Sequence, residues 1–399
     1  MNFTLSFQNV IEYLAELNLC HKEDRANSQI EQKSAKNFNL LVSLPDGRKL
    51  LVKQERFNQQ GETAGEFFGE WRIQELTRQF SELGFFKPWL PEMLHFDVQN
   101  SILVCNYLDD YCDLSHFYRD EKIYPGSIAS AIGGILAQFH RLTLDRQDFQ
   151  DSLFQVHKNL SNKKVTNYSV FNLTRRLERI KPEIFGQVPQ DALRFYKLYQ
   201  RYDSLGQAIS EITNAYEPCC LIHNDLKINN ILLSLNWSQE VTSSSAFNNG
   251  VVRLIDWERC TWGDPALDIG KIIASYLGIW LCSFMSNKNL TIEESLSLAE
   301  VPLATLQPSI VALTQAYLAA FPEILERHPD YLSRVIQYAG LGLIQSIQAM
   351  LQKHKCFGNR GICLLQVAKT LLCHPEKSIP TVFGMEASQL IDTLTPAKM

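Results

Sequence analysis

The stretch Leu221-Ile222-His223-Asn224-Asp225-Leu226-Lys227-Ile228-Asn229-Asn230-Ile231-Leu232-Leu233 decides how this chain is read. Two short apolar runs flank a polar loop holding a His, an Asp, a Lys and an Asn, the pattern of a strand, a loop and a second strand. Downstream, Val251-Val252-Arg253-Leu254-Ile255-Asp256-Trp257-Glu258 is a further apolar strand that ends in an acid. Asp225, Asp256 and the amide of Asn230 make a group of hard oxygen donors. Such a group suits Mg²⁺, which keeps waters and shares its shell with nucleotide phosphates.

His-x-Asp-x-x-x-x-Asn over 223–230, then an apolar strand and an Asp, resembles the kinase catalytic loop and its metal-binding aspartate. Ile255-Asp256-Trp257-Glu258 followed by Gly263-Asp264-Pro265-Ala266-Leu267-Asp268-Ile269-Gly270 resembles the aminoglycoside phosphotransferase and choline kinase-like family. Protein kinases have Asp-Phe-Gly here and then a long activation segment, for which the few residues between Asp256 and Gly263 leave no room. The resemblance implies an α+β, bilobal protein-kinase-like fold. A small N-terminal lobe of antiparallel sheet with one key helix is expected over residues 1–108, and a larger, mostly helical catalytic and substrate-binding lobe over 109–399. It implies ATP and Mg²⁺ as cofactors, with Asp225 as catalytic base and Asn230 and Asp256 as metal ligands. Lys227, two residues after the base, is expected to neutralise the γ-phosphate as charge develops. His223 is expected to shape the loop and Asp268 to tie it down by accepting hydrogen bonds. Glu258 is left between a contact to metal waters or substrate and a solvated acid.

Upstream of the loop, Phe38 to Leu44 and Arg48 to Lys53 flank Pro45-Asp46-Gly47, a strong β-hairpin signal. Lys53 ends the second strand where a kinase carries its phosphate-binding lysine. A lysine on a strand is ordinarily a solvated face; with the kinase-like catalytic loop downstream and an acidic helix following, the resemblance implies a nucleotide ligand. The helix predicted over Thr63–Phe80 carries Glu66 and Glu70 one turn apart, and Glu70 is the one expected to hold Lys53. The loop that covers nucleotide departs from the protein-kinase pattern. Lys33 to Asn39 has no glycine, and Ser34 and Asn37 are taken as the groups that cover the phosphates. Ile102 to Leu108 resembles the edge strand and hinge, so the backbone at Asn106 and Leu108 is expected to face adenine. Asp109, Asp110 and Asp113 follow at the cleft mouth as substrate contacts or solvated acids.

Residues 7–19 have helical periodicity, and the charged segment His21–Lys36 reads as a loop. Ile132–Leu142 and Leu193–Asn214 are predicted as helices, with His140 a core histidine. Ser234–Gly250 is predicted to be a lengthened surface loop. Beyond Pro265 the pattern is helical, over Leu267–Phe284, Ile292–Leu298, Pro308–Phe321, Tyr331–Lys353 and Gly361–Cys373.

With 399 residues, 45% hydrophobic and 20% charged, the chain has room for two lobes and an ordinary core. A net charge of −5 gives no reason to expect nucleic acid or an anionic membrane as partner. Ten scattered cysteines without zinc spacing read as free thiols in a reducing compartment, and the expected localisation is cytoplasmic. The apolar run Ile269–Met285 is broken by Lys271 and is expected to be a buried helix rather than a membrane span. The function expected is ATP-dependent transfer of the γ-phosphoryl group to a hydroxyl of a small molecule: an aminoglycoside-like sugar, an amino alcohol or another metabolite. The alternatives are a kinase of protein or peptide side chains, suggested by Lys227, and a pseudokinase that binds nucleotide without turnover.

Overall fold

The computed structural model describes residues 3–33, 36–160, 190–242, 250–284, 294 and 298–392. The N-terminal part is a five-stranded antiparallel sheet in the order β1 (Gln29–Lys33), β2 (Phe38–Ser43), β3 (Lys49–Gln54), β5 (Ile102–Asn106), β4 (Met93–Asp97). The predicted hairpin is β2–β3, with Leu40 opposite Val52 and Leu41 opposite Leu51. Gly47 closes its turn at φ +88°, a conformation that glycine adopts without strain.

Strand alternation sorts the two faces of this sheet. Leu50 and Val52 of β3, with Val42, Ile102 and Val104, face a helix α1 (Val10–Glu16) that contributes Val10, Ile11 and Leu14. Lys53, one residue on, therefore points to the opposite face. There Leu103 and Cys105 meet Phe67 and Phe68 of α2 (Glu66–Gln79). Each fully buried aliphatic side chain here contributes about 1.5–3 kcal/mol. The start of α2 is capped from the residue that follows β3: the Glu55 carboxylate accepts the Gly65 N–H at 2.8 Å and the Phe67 N–H at 2.6 Å. That bond fixes the helix carrying Glu70 to the strand carrying Lys53.

The charged segment read as a loop contains a 3₁₀ turn, Lys22–Ala26, and the edge strand β1, which pairs with β2 from Gln29 opposite Ser43 to Lys33 opposite Asn39. An edge strand needs only one partner and no buried face, so Gln-Ile-Glu-Gln-Lys has no apolar alternation to reveal it.

After β5 the chain passes through β6 (Tyr111–Asp113) into α3 (Leu114–Glu121) and α4 (Gly126–Thr143). Asp113 is the N-cap of α3, accepting from the N–H groups of Ser115 at 2.7 Å and His116 at 3.2 Å, while Asp109 pairs with Lys49 at 2.9 Å. Two small sheets frame the catalytic loop. β7 (Cys220–Ile222) pairs with β10 (Thr261–Gly263), and β8 (Ile231–Ser234) lies between β6 and β9 (Val252–Leu254). The helix predicted over Leu193–Asn214 is two helices, Gln190–Gln200 and Asp203–Asn214. Tyr202 adopts an extended conformation between them. Part of the predicted 234–250 loop is helical, Trp237–Thr242, and its residues 243–249 lie outside the described part.

The remainder is helical: α5 (Ala266–Ser283), α6 (Leu303–Ala320), α7 (Tyr331–His354) and α8 (Asn359–Cys373), with shorter helices at Glu323–Arg327, Pro375–Phe383 and Ala387–Asp392. Pro308 lies inside α6 rather than at its start. Most of the predicted Ile292–Leu298 helix falls outside the described residues. α5 is long and apolar enough to cross a membrane, but two-thirds of that window is buried in the fold, where Ile269, Ile272 and Ile273 belong to the main core with Val335, Ile336 and Ala339 of α7. All ten cysteines are free thiols.

Candidate active site

β7 ends at Ile222, and the chain then turns through His223–Lys227 before a 3₁₀ turn at Ile228–Asn230 returns it to β8. Asp268, fully buried near the start of α5, holds this turn from below. Its Oδ2 accepts the His223 N–H at 2.7 Å and its Oδ1 accepts the Asn224 N–H at 3.0 Å. His140 Nε2 approaches the same carboxylate at 3.4 Å while its Nδ1 meets the Tyr317 hydroxyl at 3.0 Å. His223 Nε2 donates to the Ile255 carbonyl at 2.9 Å, tying the loop to the strand before Asp256.

Burial alone raises the Asp268 carboxyl, but the hydrogen bond and charge of His140, then His223, outweigh it and hold the group below its ordinary value. A carboxyl depressed in the fold binds protons more weakly than in the unfolded chain. Its contribution is therefore complete above the unfolded value of about 3.9 and disappears as pH falls through the folded one. Asp268→Asn is expected to cost about 1–3 kcal/mol at neutral pH. It should also flatten the acid-side decline in stability, read from urea unfolding across pH; equal stability and an unchanged acid limb contradict the assignment.

Asp225 projects from the loop into the cleft. Lys227 Nζ lies 3.1 Å from its Oδ2 and the Arg259 guanidinium 3.4 Å from its Oδ1. Burial works to raise this carboxyl, but Lys227, Lys271 and Arg259 together bring it below its ordinary value, so it is an anion and a hydrogen-bond acceptor. Asn230, buried, donates its Nδ2 to the Asp225 carbonyl at 2.9 Å, which leaves Oδ1 as the accepting end of its amide. Asp256 follows β9 in the left-handed region, at φ +70°, a conformation that Asp tolerates better than most residues. Carboxylate oxygens of Asp225, Asp256 and Glu258 all lie within 4.8 Å of one another.

Glu258 is buried beside them. Burial first, then the charges of Asp256 and Glu66, push its carboxyl up to about 8. Three hard oxygen donors so close, with burial and mutual repulsion raising one carboxyl, fit a divalent cation.

On the opposite wall Lys53 Nζ lies 3.2 and 3.3 Å from the two Glu70 oxygens, and Glu66 pairs with Lys36 instead. Burial alone lowers the Lys53 ammonium, but Glu70 and then other anionic neighbours including Asp256 outweigh it and keep Lys53 protonated. Burial raises the Glu70 carboxyl, with Lys53 opposing.

α2 lies directly on the turn that follows Asp256. Arg72 donates to the Cys260 carbonyl at 3.1 Å, and a Cβ at Gly69 would overlap the Glu258 carbonyl oxygen. Gly69→Ala is therefore expected to push the helix off the turn, separating Glu70 from Lys53. The expected cost is about 1–3 kcal/mol of stability, with a fall in turnover larger than the stability loss explains; unchanged turnover removes the close approach as a requirement.

Asn37 lies on the bend before β2, and Ser34 is outside the described residues. At the hinge the Asn106 N–H donates to the Glu92 carbonyl at 2.9 Å, and the Leu108 carbonyl accepts the Tyr111 N–H at 3.2 Å. Two cations of the site are absent from the sequence reading. Arg259 joins Asp225 to Glu258, whose Oε1 lies 3.7 Å from its Nε. Lys271, buried on α5, bonds the Asn224 carbonyl from beneath; burial brings its ammonium down to about 8 against the pull of Asp225 and Asp268. The lone lysine in an apolar run was the only trace of the second.

Residues 110–283 match the family model of choline/ethanolamine kinase. No curated protein matches the chain. Among solved structures it is similar to an ethanolamine kinase from Plasmodium vivax, with 14% identity, 86% of this chain and 88% of that one covered and a TM-score of 0.44. It is likewise similar to a choline kinase from Streptococcus pneumoniae, with 14% identity, 86% and 92% covered and a TM-score of 0.44. The segment 110–283, with the catalytic loop and the Asp256 strand inside it, is thus similar to the choline/ethanolamine kinase family.

Proposed function

We propose that this protein is a kinase that transfers the γ-phosphoryl group of ATP to a hydroxyl of a small molecule, with Asp225 as the base and Mg²⁺ held by Asn230 and Asp256. The observation that carries the reading is the convergence of Asp225, Asp256 and Glu258 to within 4.8 Å across a cleft from the Lys53–Glu70 pair. Bound Mg²⁺ supplies charge neutralisation to the phosphates. The chain's own residues do the positioning. Glu70 aims Lys53 at the α- and β-phosphates. Asp225 orients the acceptor hydroxyl and takes its proton as transfer proceeds. Lys227, beside that carboxylate, neutralises the γ-phosphoryl oxygens. Glu258, with a raised carboxyl and two acids beside it, joins Asn230 and Asp256 in holding the metal. The residues before β6 form the nucleotide lobe, and the helices after it bear the acceptor.

The test is ADP release with Mg·ATP and mass spectrometry of the products over sugars, amino alcohols and hydroxy acids. A product heavier by one phosphoryl group is expected. Transfer to a peptide hydroxyl and to none of these small molecules contradicts the acceptor class. Nucleotide binding without transfer to any acceptor favours the scaffold alternative.

A further inference from the structure

Beside the catalytic loop opens a cavity of ≈ 1020 Å³ whose wall includes Lys227, Ile228 and Asn229. Its position makes it the acceptor pocket of the reaction proposed above, and the inference rests on that reading. The floor is apolar, with Ala274 and Gly278 of α5, Met350 of α7 and Leu364 of α8. Among the described residues the charged lining is Arg119, Lys122, Lys227, Lys353 and Arg360, against the carboxylate of Glu300. Among the described lining residues that is five cations to one anion, in a chain whose net charge is −5, with Arg119 paired at 2.9 Å to Asp120 outside the lining.

The acid among the described lining residues is already paired. Glu300 is engaged by Lys122, while Lys227 reaches out of the pocket to Asp225. Lys353 and Arg360 have no carboxylate partner among the described residues.

An amine or quaternary ammonium needs either a carboxylate or open aromatic faces to bind. Of the two tyrosines that line the pocket, Tyr124 is half-buried and Tyr118 is closed. Tyr118 is 1% exposed, its ring lies 5.0 Å from that of Tyr124, and its hydroxyl meets that of Tyr276 at 2.9 Å.

From this balance we propose that the acceptor is a small hydroxylated anion, carrying a carboxylate or a phosphate that Lys353 and Arg360 bind while its hydroxyl faces Asp225. In the reaction the acceptor hydroxyl oxygen bonds the γ-phosphorus of ATP, the β,γ-bridging P–O bond breaks, ADP leaves and the hydroxyl proton passes to Asp225. Lys227 sits where both halves meet, lining the pocket and touching the base.

Two acceptor sets that differ mainly in charge test this: gluconate, glucose and glucosamine, and glycerol 3-phosphate, glycerol and 3-aminopropane-1,2-diol. With Mg·ATP, at least one anion is expected to exceed its neutral and cationic counterparts in kcat/KM by about tenfold or more. Which anion wins separates a carboxylate from a phosphate ligand. Lys353→Glu with Arg360→Glu is expected to raise the KM of that anion about ten- to a hundredfold, with a smaller change in kcat. Lys353→Arg and Arg360→Lys should keep the preference. Thermal unfolding checks the fold of the doubly reversed variant, and Lys353→Gln with Arg360→Gln is the milder version. Preference for a neutral or cationic member, transfer to neither anion, or an anion KM unmoved by charge reversal overturns the proposal and leaves the kinase reading standing. Titration with Mg·ATP alone reports on that reading separately: failure to bind nucleotide removes both together.

Discussion

Asp225→Ala is expected to lower kcat roughly 10²- to 10⁴-fold, the range a positioned general base contributes, while leaving ATP binding largely intact. The two effects separate because of how the loop is held. Its backbone is anchored by Asp268 at His223 and Asn224 and by Asn230 at the Asp225 carbonyl. None of those bonds uses the Asp225 side chain. What the substitution does remove is the anion that Lys227 and Arg259 face. Their two positive charges then stand in the cleft without it, so nucleotide phosphates lose no favourable contact. Steady-state kinetics with a direct nucleotide titration distinguishes the outcomes. Turnover close to wild type takes the role of base away from Asp225. A parallel loss of ATP affinity assigns it to the metal instead.

The second large effect is at Asp256. Asp256→Asn keeps the size of the side chain and removes its charge. Turnover is expected to fall roughly 10²- to 10⁴-fold, corresponding to the several kcal/mol a metal supplies. The remaining activity should require more Mg²⁺. Stability is expected to move the other way. The Asp256 carboxylate makes no hydrogen bond among the described residues and crowds Glu258, whose raised carboxyl it helps to cause. Relieving that repulsion should leave the melting temperature unchanged or raise it, the trade expected where charge is gathered for function. A destabilised variant, or wild-type Mg²⁺ dependence, contradicts the assignment.

What could be read in the sequence, and what could not, divides along sequence distance. The strand–loop–strand around Asp225 is legible because its polar residues are fixed by local spacing and its flanks are apolar triplets. Lys53 is legible for the same reason, since a period-2 strand dictates which face it takes. β1 is illegible because an exposed edge strand carries no apolar alternation. The break at Tyr202 hides inside two stretches that are each amphipathic. Arg259 and Lys271 acquire their roles only when α5 and the turn after Asp256 fold against the loop, 34 and 46 residues from Asp225 in sequence. The cation-lined cavity draws on α3, α5, α7 and α8 together with the loop. No single one of those segments is basic enough to announce it. Even the choice of Glu70 over Glu66 as partner of Lys53 is settled in space by Lys36, which engages Glu66.

The nucleotide site is open to a direct test by titration of ATP into the protein with and without Mg²⁺, repeated on Lys53→Met. Binding is expected to depend on Mg²⁺ and to weaken when Lys53 is replaced, because in the proposed site Lys53 meets the nucleotide phosphates directly and the acids of the 225–258 cluster would meet them through the metal. Absence of nucleotide binding, or binding indifferent to both Mg²⁺ and Lys53, contradicts the kinase assignment.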